Sequence, residues 1–224
     1  MKRLFTIFLI LITSVIIAQN PIEKKIGDFK ELKVYDLIEV ELIKSDANKI
    51  IITGGHAESV LVNNKNGTLK IKMEISKIFD GNFTKVKLYY TTMDVIDANE
   101  GSKIHSKDTF KQFEIDLKAQ EGASIDVGVD VNYVNVKAVT GGIIKVTGVT
   151  KKQNVSLLTG GIFHGEELKS ENADVSINAA GEAYVNASKV VDIKIRAGGD
   201  VFVYGKPETI NESRVFGGRV KRMD

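Results

Sequence analysis

Between residues 101 and 220, seven near-regularly spaced glycines are each followed three residues later by a large apolar side chain. The pairs are Gly101 and Ile104, Gly122 and Ile125, Gly141 and Ile144, Gly160 and Phe163, Gly181 and Tyr184, Gly198 and Val201, and Gly217 and Val220. The glycines lie 21, 19, 19, 21, 17 and 19 residues apart. A self-similar period of this length means one supersecondary unit stacked many times. Between the glycines, apolar residues recur at every second position: Phe113, Ile115, Leu117; Val134, Val136; Val155, Leu157; Val175, Ile177; Ile193, Ile195. Strict alternation marks half-buried strands. One period has room for two or three short strands but not for a helix pair, and the Leu/Asn ladder of a leucine-rich repeat is missing. The expected fold is therefore all-β: a β-solenoid, right-handed and parallel β-helix-like, each coil burying its inward residues against its neighbours. The glycines suit corners that need positive φ or close packing. In this register Ile125, Ile144, Phe163, Tyr184 and Val201 should stack along one interior line. A β-sandwich of short hairpins is the alternative, since turn signals recur about every 8–12 residues.

Upstream of the repeat, which starts near residue 98, the alternation continues without the glycine register. Leu32 and Val34, then Ile38, Val40 and Leu42, then Lys49 to Thr53 read as strands. Val60 to Val62 and Leu69 to Met73 flank Asn66-Gly67. Asn-Gly between alternating apolar residues is a strong hairpin signal, because both central residues of the turn need positive φ. N-terminal antiparallel strands and a hairpin are thus expected ahead of the solenoid. Residues 29–224 read as one domain, with 19–28 as a linker.

The first 18 residues read as an export signal. Met1-Lys2-Arg3 is basic, Leu4 to Ile17 is mostly apolar, and Ala18 precedes polar Gln19-Asn20-Pro21. The apolar run is shorter than the ~20 residues that span a bilayer. Cleavage is expected, leaving no transmembrane span in the mature chain. Exported localisation follows, whether periplasm, outer-membrane surface or secreted. The sequence has no Cys, which removes disulfides and cysteine-based metal sites or nucleophiles. It has 31 basic and 29 acidic residues; Lys2 and Arg3 leave with the signal, so the mature chain is formally neutral. Nucleic-acid binding, which needs surplus cations, is not expected.

The chain from Phe29 onward resembles the exported bacterial family described as "putative auto-transporter adhesin, head GIN domain". The likeness rests on Phe29-Lys-Glu-Leu-Lys-Val34, Val40-Glu-Leu42, Ile50-Ile-Ile-Thr-Gly54 and Asn66-Gly67-Thr-Leu69-Lys-Ile71. It continues through the corners Ala197-Gly198-Gly199, Gly205-Lys206-Pro207 and Phe216-Gly217-Gly218. Many corners here are Gly-Gly or Gly-Glu where the family carries Ser-Gly. The resemblance implies a β-helix-like stack in a Gram-negative envelope, with no established enzyme activity. No barrel segment follows Asp224, so self-export through one is not expected.

No chemistry stands out along the chain. His56, His105 and His164 show no metal-ligand spacing, and neither G-x-S-x-G nor G-x-G-x-x-G before a helix occurs. Catalytic, cofactor-binding and metal-ligating residues are therefore expected to be none, and the fold is expected to need no metal. A glycosidase needs two carboxylates flanking the scissile bond. Asp126 and Asp130 form the nearest cluster. Asp174, Asp192 and Asp200 recur in no evident register, without a companion set of basic and aromatic residues. The segment Ile78-Phe79-Asp80-Gly81-Asn82-Phe83 is the candidate contact: its turn sets Phe79 and Phe83 on either side of a loop tip. The expected function is a non-enzymatic binding or adhesion module of the cell envelope. Its partner would be an envelope or extracellular protein or glycan. A polysaccharide-acting envelope enzyme on a β-helix scaffold is the alternative.

Overall fold

The computed structural model of the protein describes residues 21–223. The export-signal reading of residues 1–18 lies outside them. The chain enters with β1 (Ile22–Lys25), inside the segment read as a linker, then β2 (Glu31–Val34), β3 (Glu39–Lys44) and β4 (Lys49–Gly54). A hairpin of β5 (Val60–Lys65) and β6 (Thr68–Met73) follows, then β7 (Thr84–Tyr90) and β8 (Val95–Ala98). Five long strands come next: β9 (Lys103–Gln120), β10 (Ser124–Val139), β11 (Ile143–Leu158), β12 (Gly161–Asn178) and β13 (Gly181–Ala197). The chain closes with β14 (Asp200–Tyr204), β15 (Thr209–Phe216) and β16 (Arg219–Arg222).

From β9 to β13 every strand pairs in parallel with the next. The last coil is split, β14 and β15 both pairing with β13, and β16 continuing from β14. The solenoid is the reading that the alternation and glycine period supported. Each long strand forms a coil by bending once. In β10 the inward residues are Ile125, Val127, Val129 and Val131, then Val134, Val136 and Ala138. The phase breaks at Asn132–Tyr133, where two successive residues point away from the core. The coil therefore has a first face, around residues 124–131, and a second, around 133–139. Bulges between Lys145 and Gly148 and between Gly165 and Lys169 fall on the first face. They absorb the changes in repeat length.

The N-terminal strands do not stack in sequence order. β2 pairs in parallel with β6 on one side and β8 on the other, and β3 with β7 and β9. The β2–β3 coil is thus inserted between β6–β7 and β8–β9. Antiparallel β1 on β4, β4 on β7 and β5 on β6 close this end. The β5–β6 turn is the expected one, with φ of 53° at Asn66 and 78° at Gly67.

The interior line differs from expectation at one coil. Ile104, Ile125, Ile144, Phe163, Ala183 and Val201 share a register and are buried. Tyr184 is not among them. It pairs with His164 and Phe202 on the outer surface. The cause is the corner before it. Thr140-Gly141 and Thr159-Gly160 turn through two positive-φ residues, and here Ala179 and Ala180 take those places, at φ 63° and 61°. Gly181 is the partner of Gly161, one position later.

Candidate binding surface

Two features of the outer surface lack an evident structural purpose: a loop near the N-terminal end and a groove on the second face. The loop joins β6 to β7 through short 3-10 turns at Ile75–Lys77 and Gly81–Phe83. Ile75 is 85% exposed, Ile78 49%, Phe79 58% and Phe83 65%. The sequence-derived contact residues Phe79 and Phe83 therefore both stand in solvent instead of folding onto the core, joined there by Ile75 and Ile78.

The loop is nevertheless held firmly. Asp36, buried at the β2–β3 corner, accepts the Met73 N–H at 3.0 Å through one carboxylate oxygen and the Phe79 N–H at 3.3 Å through the other. Phe79 itself sits at φ 61°, a costly conformation for an aromatic residue. Such strain persists where surrounding contacts over-determine the backbone, and it concentrates at functional sites. Gly81 packs so tightly that a Cβ there would lie 2.2 Å from the Asp36 carbonyl oxygen. His56 reaches Asp80 at 3.3 Å, and the Ser59 and Ser76 hydroxyls donate to Glu74 at 3.0 and 2.8 Å. Burial, followed by the neighbouring Asp36 carboxylate, pushes the Glu100 carboxyl above its ordinary value. An apolar tip presented on a fixed backbone loses little entropy when covered.

The groove encloses about 740 Å³ and crosses the coils of β9 to β13. Register builds it from two rows. One is Asp116, Asn135, Asn154, Asp174, Asp192 and, on β15, Asn211. The other, two residues on, is Lys118, Lys137, Ser156, Ser176, Lys194 and Ser213. Within the first row the Asn154 amide donates to Asn135 at 2.8 Å and the Asn135 amide to Asp116 at 2.8 Å. The Asn211 amide donates to Asp192 at 2.8 Å, and Lys152 sits 2.6 Å from Asp174.

The acids are thus in better register than the sequence suggested. Asp174 and Asp192 are direct partners across β12 and β13. Their 18-residue separation concealed this, because the first-face bulges shift the count. Basic residues accompany them as well, through Lys118, Lys137 and Lys194 in the adjacent row. Asp200 lies elsewhere, on the first face, held by Arg219 at 2.8 and 2.6 Å; that guanidinium keeps its carboxyl below the ordinary value. Asp126 and Asp130 point outward from the first face beside Lys145 and Lys111. Two carboxylates of one row meet a ligand from the same side, whereas glycosidic cleavage places them on either side of the bond. Among the described residues no group of three or more His, Cys, Asp or Glu side chains is arranged to hold a metal. His164 stacks on Tyr184, and Tyr184 on Phe202, with ring centroids 5.0 and 4.6 Å apart.

Residues 28–207 match the model of the family described as "Putative auto-transporter adhesin, head GIN domain". The chain belongs to this family. No curated protein matches it. Solved structures share the fold of this head GIN domain. A "putative adhesin" from Bacteroides fragilis NCTC 9343 is 17% identical, with a TM-score of 0.83 over 92% of this chain and 98% of its own. A "putative lipid binding protein" and a "putative adhesin", both from Parabacteroides distasonis ATCC 8503, are each 18% identical with TM-scores of 0.67. The first covers 92% of this chain and 98% of its own, the second 91% and 96%. No helix among the described residues of this GIN domain is long and apolar enough to cross a membrane.

Proposed function

We propose that this head GIN domain is an exported, non-enzymatic binding module of the cell envelope. Residues 1–18 act as the export signal, and the mature chain captures an envelope or extracellular partner. The observation that carries the reading is the Ile75–Phe83 tip. Four large apolar side chains are held in water on a backbone braced by a buried carboxylate, one of them in a strained conformation. Exposed apolar surface of this kind is useful when a partner covers it. Phe79 and Phe83 make first contact, with Ile75 and Ile78 beside them. Family membership supports an adhesive role. The carboxylates lining the groove, Asp116, Asp174 and Asp192, stand in one row, each already hydrogen-bonded or ion-paired, which argues against glycan cleavage.

Replacing Phe79 and Phe83 together by Ser is expected to lower retention on isolated envelopes about tenfold while moving the thermal midpoint by no more than a few degrees. Co-sedimentation and calorimetry of the full mature chain read the two effects. Unchanged retention would remove the tip as the contact. A collapse of the midpoint would show that the rings serve the core.

A further inference from the structure

The two rows of the groove differ in how their charges are satisfied. Every acid of the first row has a partner: Asp174 is ion-paired with Lys152, while Asp116 and Asp192 accept hydrogen bonds from the neutral amides of Asn135 and Asn211 and keep their charge. Among the described residues, Lys118, Lys137 and Lys194 of the second row have no carboxylate within 4.0 Å of their ammonium groups. Lys118 and Lys137 are also direct neighbours across β9 and β10. Like charges facing each other on adjacent strands repel. The one acid continuing that row, Asp97, is taken by Lys33 at 3.0 Å. The groove thus offers amide and carboxylate groups along one side and, along the other, ammonium groups free of direct carboxylate contact, with Asp97 and Glu31 standing near Lys118 alone.

Its remaining properties narrow the ligand. Backbone N–H and C=O groups of these strands are spent in the parallel ladder, so a peptide cannot join by strand addition. The floor residues Val136, Val155 and Val175 are at most 3% exposed, so their side chains face the core instead of the groove. No aromatic ring lines the groove, which leaves nucleic-acid bases without a stacking platform. What fits is a chain carrying hydroxyls and anions, repeating on a length like the strand spacing of ~4.8 Å. Five rungs, from Asp116 to Asp192, span roughly 19 Å at that spacing.

We propose that the groove binds an anionic glycan, bearing uronate or sulfate groups, stretched along the solenoid axis. Its hydroxyls meet the Asp/Asn row and its anionic groups meet Lys118, Lys137 and Lys194. This rests on the binding-module reading and names a ligand class for a second surface of the same domain.

The test is calorimetric titration of the full mature chain with di-, tetra- and hexasaccharides of three kinds: oligogalacturonate, heparin-derived sulfated chains and neutral cello-oligosaccharides. At least one anionic series should bind, more tightly as its length grows to fill the groove, and less tightly as salt rises. Lys118→Gln with Lys137→Gln should weaken that binding about tenfold at an unchanged thermal midpoint, whereas Phe79→Ser with Phe83→Ser should leave it intact. Whichever anionic series binds identifies the group recognised. Binding of neither, equal binding of neutral chains, or indifference to the lysine substitutions would overturn the proposal. Envelope retention through the Phe79–Phe83 tip would survive that result, so the two readings fail separately.

Discussion

Phe163→Ala is expected to destabilise the protein by about 3–5 kcal/mol. The ring is fully buried and lies on the interior line between Ile144 and Ala183. It fills room left by two small residues. Ala183 is its register neighbour, and a Cβ on Gly165 would come within 2.4 Å of the ring. Parallel ladders fix the strands on both sides, so the vacated space has little freedom to collapse. Large-to-small changes cost most where the site cannot relax. Tyr184→Ala is the informative contrast. Its ring removes contact with His164 and Phe202 on the outer surface, which is worth about 1 kcal/mol. Denaturant unfolding of the mature chain measures both. Coils contact only their neighbours, so loss of a central coil can uncouple the two ends; circular dichroism and intrinsic fluorescence should therefore be followed together. Similar costs for the two substitutions would contradict the register.

The second large effect separates two adjacent glycines. Gly161→Ala would place a Cβ 2.2 Å from the Ala138 carbonyl oxygen and 2.6 Å from its carbon. Those atoms belong to the backbone of β10 and cannot swing aside. Relief requires prising β12 from β10 and β11, and the expected cost is about 3 kcal/mol, the upper end for overpacking. Gly160 sits at φ 76° with open space around it. Gly160→Ala meets only the left-handed backbone penalty, about 1–2 kcal/mol. The neighbouring Ala179 and Ala180 already tolerate such φ values in the next corner. A larger loss at Gly160 than at Gly161 would mean that the corners, and not the spacing between coils, demand glycine.

The repeat was legible because each coil repeats the same physical problem. A buried line needs an apolar residue at a fixed step from a corner, and the step survives in sequence. Ile125, Ile144, Phe163 and Val201 were placed correctly for that reason. Tyr184 falls outside the line because Gly181 is the register partner of Gly161, not of Gly160, so the residue three positions on faces outward. The flanking spacings of 21 and 17 were the available sign of a slip. The groove was not legible at all. Alignment of Asp174 with Asp192, and of Lys118 with Lys137, depends on counting residues from the second face, while first-face bulges change the total coil length. The insertion of β2–β3 between later strands was equally hidden, because alternation identifies a strand but not its neighbour. Phe79 and Phe83 were recognisable as a loop tip; the buried Asp36 that braces them lies 43 residues from Phe79 in sequence.

Binding without turnover is the central claim, and its most direct test follows the partner's mass. The full mature chain is immobilised, saturated with isolated envelope polysaccharide and protein, washed and eluted, and the released material is compared with the input by size and mass. The account predicts saturable, reversible retention, with the eluted partner unchanged and no soluble fragments appearing over time. Fragments that accumulate in proportion to the amount of protein and the time of incubation would contradict it, and would identify the solenoid as the scaffold of an enzyme.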